Sequence, residues 1–244
     1  MNKRLIFLWI AGLTCICANA QETGSFPYDS LSRDISETRL TGDLFLYQSS
    51  SKVSQYFIDE WLDGTLRLSN HMVVSHKKLR YNGYLDRVIW INGNFQQVKL
   101  DRELVDGFTL YEPASSRTYT FEKIRISEDL KPDSFTIYAQ VLYKGRLSLY
   151  AWRKVAFTGS EQVLGTRYMI NSYEKRTYYY FCSGDSTSRG FRHLNRRNIL
   201  KAFPEKRAQL LALMRSSKQR SFKTEEDLIR FTRMTDESQI DPLH

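Results

Sequence analysis

The sequence predicts a mainly β protein of the α+β class: a curved antiparallel sheet, roll or partial barrel followed by a short C-terminal helical segment. Aromatic residues, which strands favour, make up 14% of the 244 residues. Short apolar segments separated by turn residues recur from residue 44 to about residue 182. They lack the strand–helix alternation of a parallel α/β fold. After residue 190 the spacing of the apolar residues becomes helical.

The chain divides by composition into four parts. Residues 1–20 read as a signal peptide and residues 21–43 as an extended polar lead-in. Residues 44–182 are expected to form the antiparallel β body. Residues 183–244 are expected to form a loop and C-terminal helices that pack on this body.

The N-terminus has the three parts of a secretory signal peptide. Lys3 and Arg4 precede an apolar stretch, residues 5–17, and the small-residue exit Ala18-Asn19-Ala20 follows. The apolar stretch is shorter than the roughly 20 residues that a transmembrane helix needs. We therefore expect cleavage after Ala20, export to the periplasm or cell envelope, and no transmembrane span in the mature chain.

Export would leave only one of the three cysteines in the mature chain. Cys15 and Cys17 lie inside the expected signal peptide, and neither follows the small residue that precedes a lipidated cysteine, so we do not expect a lipoprotein. After cleavage Cys182 would have no intramolecular disulfide partner. We expect it to act as a small buried apolar residue.

Turn residues predict the hairpins of the β body. Asp63-Gly64 and Asn92-Gly93 are expected as tight turns, because these residues tolerate positive φ. Lys144-Gly145 is expected to join an arm at residues 134–143 to an arm at residues 146–157. Both faces of these arms are apolar, with an interruption at Arg153, which predicts strands buried on two sides. Further strands are expected at residues 118–126 and 176–182.

Three helices are expected after residue 190. Asn195 can cap a short helix that continues to Phe203, and Pro204 suits the first turn of a second helix. Thr224, with Asp227 three residues later, resembles a capping arrangement that opens a third helix.

Basic residues gather in this C-terminal part of a chain with a formal net charge of +9. The candidate ligand- or partner-binding residues are Arg189, Arg192, Arg196, Arg197 and Lys201. In an exported protein, such residues favour a lipid, another anionic envelope component or an envelope protein as the partner, and not nucleic acid. Taken by itself, the basic run favours a solvated helix face, and binding is the second interpretation.

The sequence predicts no catalytic residue, metal site or cofactor. His71 and His76 would point to opposite faces of a strand, which makes them poor joint ligands. Gly184-Asp185-Ser186, with Asp241 and His244 downstream, resembles two blocks of the GDSL-type esterases. Ser186 lies late in the chain, after the β-segments, and the family's other blocks are not identifiable. We interpret the match as a coincidence, and a hydrolase that uses Ser186 is the third hypothesis.

Four stretches of the expected mature chain form a recognisable combination. They are Leu79-Arg80-Tyr81-Asn82, the run from Val141 to Leu149, Tyr178-Tyr179-Tyr180, and the tail from Arg196 to Ile229. Together they resemble a group of secreted proteins from Bacteroidota that has no assigned activity. The resemblance implies export, a β-rich body and a helical tail, and it implies no site residue.

The preferred functional hypothesis is a non-enzymatic binding module of the cell envelope for an apolar ligand, a lipid or an envelope partner. Strands that are apolar on both faces, together with many Tyr and Trp residues, suit a pocket with one wet end. The alternative is a structural or protein-interaction module without a ligand pocket, in which those strands are core.

Overall fold

The computed structural model describes residues 40–45, 51, 53–128, 131–184, 186–188, 190–217, 221–238 and 240. All of them belong to one unit, Ser36–His244, whereas a second unit, Met1–Ile35, lies outside the described residues. The signal peptide and the lead-in up to residue 39 therefore remain predictions. Leu40 is buried, and the first strand begins soon after it.

The mainly β fold with a C-terminal helical segment is confirmed. The strands of the described residues form one open antiparallel sheet in the order β1-β5-β4-β3-β2-β6-β7-β8-β9-β10-β11. Most neighbours in the sheet are consecutive in the chain, so hairpins build nearly all of it. The strands are β1 (Gly42–Leu44), β2 (Leu62–Leu68), β3 (Val73–Asn82), β4 (Arg87–Ile91), β5 (Gln97–Leu100), β6 (Val105–Glu112), β7 (Arg117–Glu128), β8 (Lys131–Tyr143), β9 (Leu147–Gln162), β10 (Met169–Ser183) and β11 (Ser186–Thr187).

Of the predicted turns, Lys144-Gly145 is confirmed, because β8 ends at Tyr143 and β9 begins at Leu147. The tight turn expected at Asn92-Gly93 is wrong. Since Ile91 pairs with Gln97, the connection covers residues 92–96. The Asn92 side chain accepts hydrogen bonds from the backbone N–H groups of residues 94 and 96, at 3.0 and 2.9 Å, and closes this wider loop.

The turn expected at Asp63-Gly64 is also wrong, because both residues lie inside β2. A Cβ atom at Gly64 would lie 2.4 Å from the carbonyl oxygen of Thr109 and 2.7 Å from Cδ1 of Leu79. Glycine therefore serves close packing of β2 against both of its neighbours, β3 and β6, and not a reversal of the chain.

Strands β8 and β9 pair over only part of their length. Their register runs from Gln140 opposite Ala151 to Tyr143 opposite Leu149. Beyond that point the turn between β3 and β4 lies between them. The N–H of Val155 on β9 donates to the carbonyl of Gly83 at 2.9 Å. This turn forms a wedge, residues 83–86, that brings the first strands of the sheet against its later ones.

Asp86 anchors the wedge on its other side. Its carboxylate accepts hydrogen bonds from the backbone N–H of Tyr138 on β8 at 3.2 Å and from the Tyr81 hydroxyl at 2.7 Å, and it pairs with Arg102 at 2.8 Å. Burial raises the pKa of Asp86, and these partners offset part of that effect. The wedge is thus held by a buried carboxylate whose hydrogen-bonding capacity is satisfied.

The sheet also curls at its other end. The Thr187 hydroxyl on β11 donates to the carbonyl of Arg125 on β7 at 3.0 Å, although three strands separate them in the sheet order. The strands from β7 to β10 enclose a buried apolar cluster that includes Ile137, Trp152 and Tyr180. This half of the sheet is therefore curved, as predicted.

Two further apolar clusters complete the core. One fills the first half of the sheet around Leu66, Leu79 and Phe121. The other lies between the outer face of β9 and β10 and the helices, and Phe181 and Phe231 belong to it. Strands β9 and β10 therefore contribute to one cluster on each face. For β9 this agrees with the prediction that the arm at residues 146–157 is buried on two sides.

The helical segment consists of α1 (Arg196–Lys201), α2 (Arg207–Ser216) and α3 (Glu225–Glu237). The predicted caps at Asn195 and Thr224 are confirmed, and Thr224 forms a full capping box with Asp227. The predicted extension of α1 to Phe203 and the start of α2 at Pro204 are wrong. Pro204 disfavours a helical backbone at the residue before it, Phe203. The Phe203 ring packs on Phe181 instead, with ring centroids 4.5 Å apart.

Helix α3 is fixed at both ends to β9. At its start, Arg153 donates to the two carboxylate oxygens of Glu225 at 2.6 and 2.9 Å. At its end, the carboxylate of Asp236 accepts from the N–H of Leu147 at 2.9 Å. Phe231 is fully buried between these contacts. The helical segment is therefore packed directly on the sheet.

Candidate functional site

Four of the five predicted basic residues lie together at the start of the helical segment. Arg192 follows Phe191, which forms an isolated β-bridge with Tyr179 of β10. The other three, Arg196, Arg197 and Lys201, lie on α1. Arg189, the fifth, lies outside the described residues. We call Arg192, Arg196, Arg197 and Lys201 the α1 basic surface.

The apolar residues of α1 determine which side chains face solvent. Ile199 and Leu200 are buried in the cluster shared with the sheet. Arg197 and Lys201, which are four residues apart, occupy one exposed side of the helix. Asn195 caps the helix, with its side chain accepting from the N–H of Asn198 at 2.8 Å. Burial of two residues thus presents the basic ones to solvent.

A shallow depression of about 240 Å³ opens beside this surface. Its lining residues are Gly190, Phe191, Arg192, Asn198, Lys201 and Ala202. Gly190 lies directly over the ring of Tyr180, and a Cβ atom there would come within 2.6 Å of that ring. Only glycine therefore fits at this position of the depression.

Arg192 shares its carboxylate partner with a second arginine. Its guanidinium lies 3.4 Å from Glu174 and 5.6 Å from the ring centre of Tyr178. Arg176 binds the same carboxylate at 2.6 Å, and this hydrogen bond lowers the pKa of Glu174. Two cations share one anion, so the local charge is positive.

The α1 residues have no such partner. Arg196, Arg197 and Lys201 are exposed and form no salt bridge with any described residue. Across residues 190–217 the only acidic residue is Glu205. Exposed guanidinium and ammonium groups without carboxylate neighbours provide hydrogen-bond donors for phosphate or carboxylate oxygens. Chemically, this surface can bind anions.

The esterase-like pattern is not assembled by the described part of the chain. Ser186 lies in the two-residue strand β11 and pairs with Ser183. Asp185, Asp241 and His244 lie outside the described residues. The structure therefore gives no geometry for a triad that includes Ser186.

Cys182 lies nearby as a free cysteine that packs, partly buried, against the apolar cluster of the curled sheet, so it is less buried than the sequence predicts. Its sulfur lies 3.6 Å from the Thr187 hydroxyl. Burial raises the pKa of the Cys182 thiol, which keeps it protonated at neutral pH.

The structure reveals one polar cluster that sequence reasoning missed. The Lys144 ammonium lies 2.6 Å from the carboxylate of Glu122 and 2.7 Å from the Tyr150 hydroxyl. Burial acts to lower the pKa of Lys144, but the hydrogen bonds that Lys144 donates to Glu122 and Tyr150 outweigh it and raise that pKa. A protonated lysine is not a nucleophile. The contact of Lys144 with Glu122 instead ties the β8–β9 turn to β7.

The structure places His71 and His76 near the start of β3. His71 lies in the turn before β3 and His76 within it, and both have positive φ, at 66° and 55°. Among the residues that the structure describes, no group of three or more His, Cys, Asp and Glu side chains could hold a metal ion.

The fold and the α1 basic surface are the guides to the function of this protein. No helix in the described ranges is both long and apolar enough to pass through a lipid bilayer. No family model, curated protein or solved structure matches this chain.

Proposed function

We propose that this protein is a non-enzymatic binding module of the cell envelope that docks on anionic lipid headgroups through the α1 basic surface. Export rests on the signal peptide expected at residues 1–20. The observation that carries the proposal is the set of three exposed α1 cations, Arg196, Arg197 and Lys201, that lack carboxylate partners among the described residues.

Cations without carboxylate partners on a short helix that is packed on the sheet are well placed to bind an anionic membrane surface. Each Lys or Arg near an anionic leaflet contributes about 1 kcal/mol, and the attraction decays within a Debye length. The burial of Ile199 and Leu200 fixes α1 on the sheet, so little ordering is needed when the surface binds. Binding of this kind should be reversible and sensitive to salt.

The interior of the fold supports a surface module more than a carrier of an apolar ligand. On β9, the side chains of Leu149 and Ala151 pack toward the helices. Those of Tyr150 and Trp152 pack into the curled sheet on the other face. The protein's own side chains thus fill the space on both faces of β9, where the sequence suggested a ligand pocket.

Vesicle flotation tests the proposal. The purified protein is mixed with vesicles of phosphatidylglycerol and phosphatidylcholine, or of phosphatidylcholine alone, at salt concentrations from about 0.05 to 0.5 M. We expect binding to the anionic vesicles at low salt. The variant Arg196→Ser/Arg197→Ser/Lys201→Ser should bind at least about tenfold more weakly, since it lacks three surface cations.

A matched control removes the same charge elsewhere. Lys78 on β3, Lys99 on β5 and Arg117 on β7 are cations of the sheet far from α1 in the sequence. Lys78 and Lys99 are partly exposed and pair with carboxylates at 2.9 and 3.0 Å. Replacement of all three by Ser should leave most of the binding intact. Equal losses in both triple variants would mean that net charge alone drives association, and the proposed surface would be wrong. Capture of an acidic protein without any vesicle binding would replace the lipid by a protein partner.

A further inference from the structure

The hairpin formed by β9 and β10 continues past the residues that belong to the three apolar clusters. The two strands pair from Phe157 opposite Tyr173 to Gln162 opposite Met169, and residues 163–168 connect them. We call residues 157–173 the β9–β10 arm. The strand alternation of the body predicted an end near residue 157, so this arm was not expected.

The end of the arm carries exposed apolar side chains. Leu164 at the turn is 99% exposed, and Tyr168 is 74% exposed. Met169 and Phe157 are each about half exposed. Isolated exposed apolar residues are common, but a fully exposed Leu beside a Tyr at the end of the hairpin is a concentrated apolar tip.

Several polar groups of this tip are paired within the hairpin. The N–H of Val163 donates to the carbonyl of Tyr168 at 2.9 Å, and the N–H of Thr166 donates to the carbonyl of Val163 at 3.0 Å. The side chain of Gln162 donates to the carbonyl of Thr166 at 2.7 Å. Gly165, with φ of +77°, allows the reversal. Such a tip can leave water without leaving these groups unpaired.

The edges of the arm disfavour strand addition by a second copy of this chain, and on the β10 side Ser51 already forms a β-bridge with Asn171. A β-bulge interrupts the register between Ser172 and Tyr173, and opposite it Gly159 has φ of +151°. Bulges and charged residues such as the exposed Glu161 are the features by which proteins protect free strand edges. The four apolar side chains also expose less than the roughly 800 Å² per partner that a stable protein interface buries.

One cation lies in the tip and another lies farther along the arm. Arg167 is exposed in the turn itself. Arg192 of the α1 basic surface reaches β10 at Glu174, five residues from Met169, or about 17 Å along the strand. An apolar tip with a tyrosine and an arginine matches the interfacial layer of a bilayer, where aromatic rings sit at headgroup level and cations meet phosphates.

We propose that the tip of the β9–β10 arm, Leu164 with Tyr168, inserts into the interfacial layer of a phospholipid bilayer. This inference rests on the membrane location of the proposed function but names a second contact, which does not depend on anionic lipid. The arm supplies apolar burial, whereas the α1 basic surface supplies charge attraction.

A labelling experiment tests insertion separately from charge attraction. Leu164→Cys in a Cys182→Ser background carries an environment-sensitive fluorophore, and Val73→Cys, at another exposed apolar position on β3, is the control. With phosphatidylcholine vesicles at about 0.5 M salt, where exposed charges are screened, we expect a blue shift and quenching by spin-labelled lipid at residue 164 only. An unchanged signal at residue 164 overturns insertion, even if anionic vesicles still bind the protein.

Two substitutions complete the test. Leu164→Asp should lower partitioning to these neutral vesicles about tenfold or more, because the whole apolar side chain of Leu164 would be buried in the bilayer. Val73→Asp should leave partitioning unchanged. The triple α1 variant should keep the blue shift while it loses the salt-sensitive binding. If Leu164→Asp leaves partitioning unchanged but dissolves a dimer seen by analytical ultracentrifugation, the tip contacts a second copy, and the bilayer contact is wrong.

Discussion

Replacement of Glu225 by Gln should release the start of α3 from the sheet. The carboxylate of Glu225 receives two hydrogen bonds from Arg153, at 2.6 and 2.9 Å, and one from the Tyr179 hydroxyl at 2.7 Å. Loss of one partner of a buried ion pair costs about 3–5 kcal/mol. Because the Glu225 side chain is 28% exposed, we expect Glu225→Gln to lower the free energy of unfolding by about 2–3 kcal/mol at pH 7.

The effect should depend on pH in a defined direction. Burial acts to raise the pKa of Glu225, but the hydrogen bonds and charge of Arg153 outweigh it, so the pKa is lowered. A lowered pKa contributes stability above the unfolded value of about 4.3, and this stability is lost as the pH falls through the folded value. The difference between wild type and Glu225→Gln should therefore shrink below about pH 4.

Urea unfolding followed by circular dichroism measures both effects, with Glu226→Gln as the matched control. Glu226 is the adjacent acid in the first turn of α3, so the substitution removes the same charge from the same helix end. Its side chain is exposed. Equal destabilisation by the two substitutions would show that the helix dipole explains the effect. The ion pair would then contribute nothing to the docking of α3.

Three further predictions concern other contacts. Asp236→Asn should cost about 1–2 kcal/mol of unfolding free energy in urea, since the bond to the N–H of Leu147 would lose its charge; no loss would contradict this role. Gly190→Ala should cost about 1–3 kcal/mol because its Cβ meets the Tyr180 ring, and a melting temperature equal to that of wild type would refute the contact. The Cys182 thiol should react slowly with a disulfide reagent at pH 7 and rapidly in urea, because burial raises its pKa; equal rates would contradict this.

Local chemistry predicted the elements whose signal lies in a few adjacent residues. The caps at Asn195 and Thr224 were predictable because each cap bonds to an N–H within three residues along the chain. Turn dipeptides were less informative. Lys144-Gly145 marks a real reversal, whereas Asp63-Gly64 lies within β2, where glycine makes room for a neighbouring strand. A glycine that serves close packing and one that serves a turn look alike in sequence.

Features that depend on distant residues were not predictable. Arg153 was visible as an interruption of an apolar face, and Glu225 follows the predicted cap Thr224, but nothing in the sequence joins Arg153 to Glu225. The wedge at Asp86 likewise depends on Tyr138, more than fifty residues away. The candidate site was predictable in its residue types, because basic residues cluster along the chain. Its geometry was not, since the burial of Ile199 and Leu200 sets which cations are exposed.

The slope of vesicle affinity against salt concentration tests the central claim most directly. For wild type, the logarithm of the partition coefficient on phosphatidylglycerol vesicles should fall steeply with the logarithm of salt concentration. For Arg196→Ser/Arg197→Ser/Lys201→Ser the slope should flatten markedly, and for the control triple at Lys78, Lys99 and Arg117 it should stay near the wild-type value. A slope that is the same in all three proteins would contradict docking through the α1 basic surface.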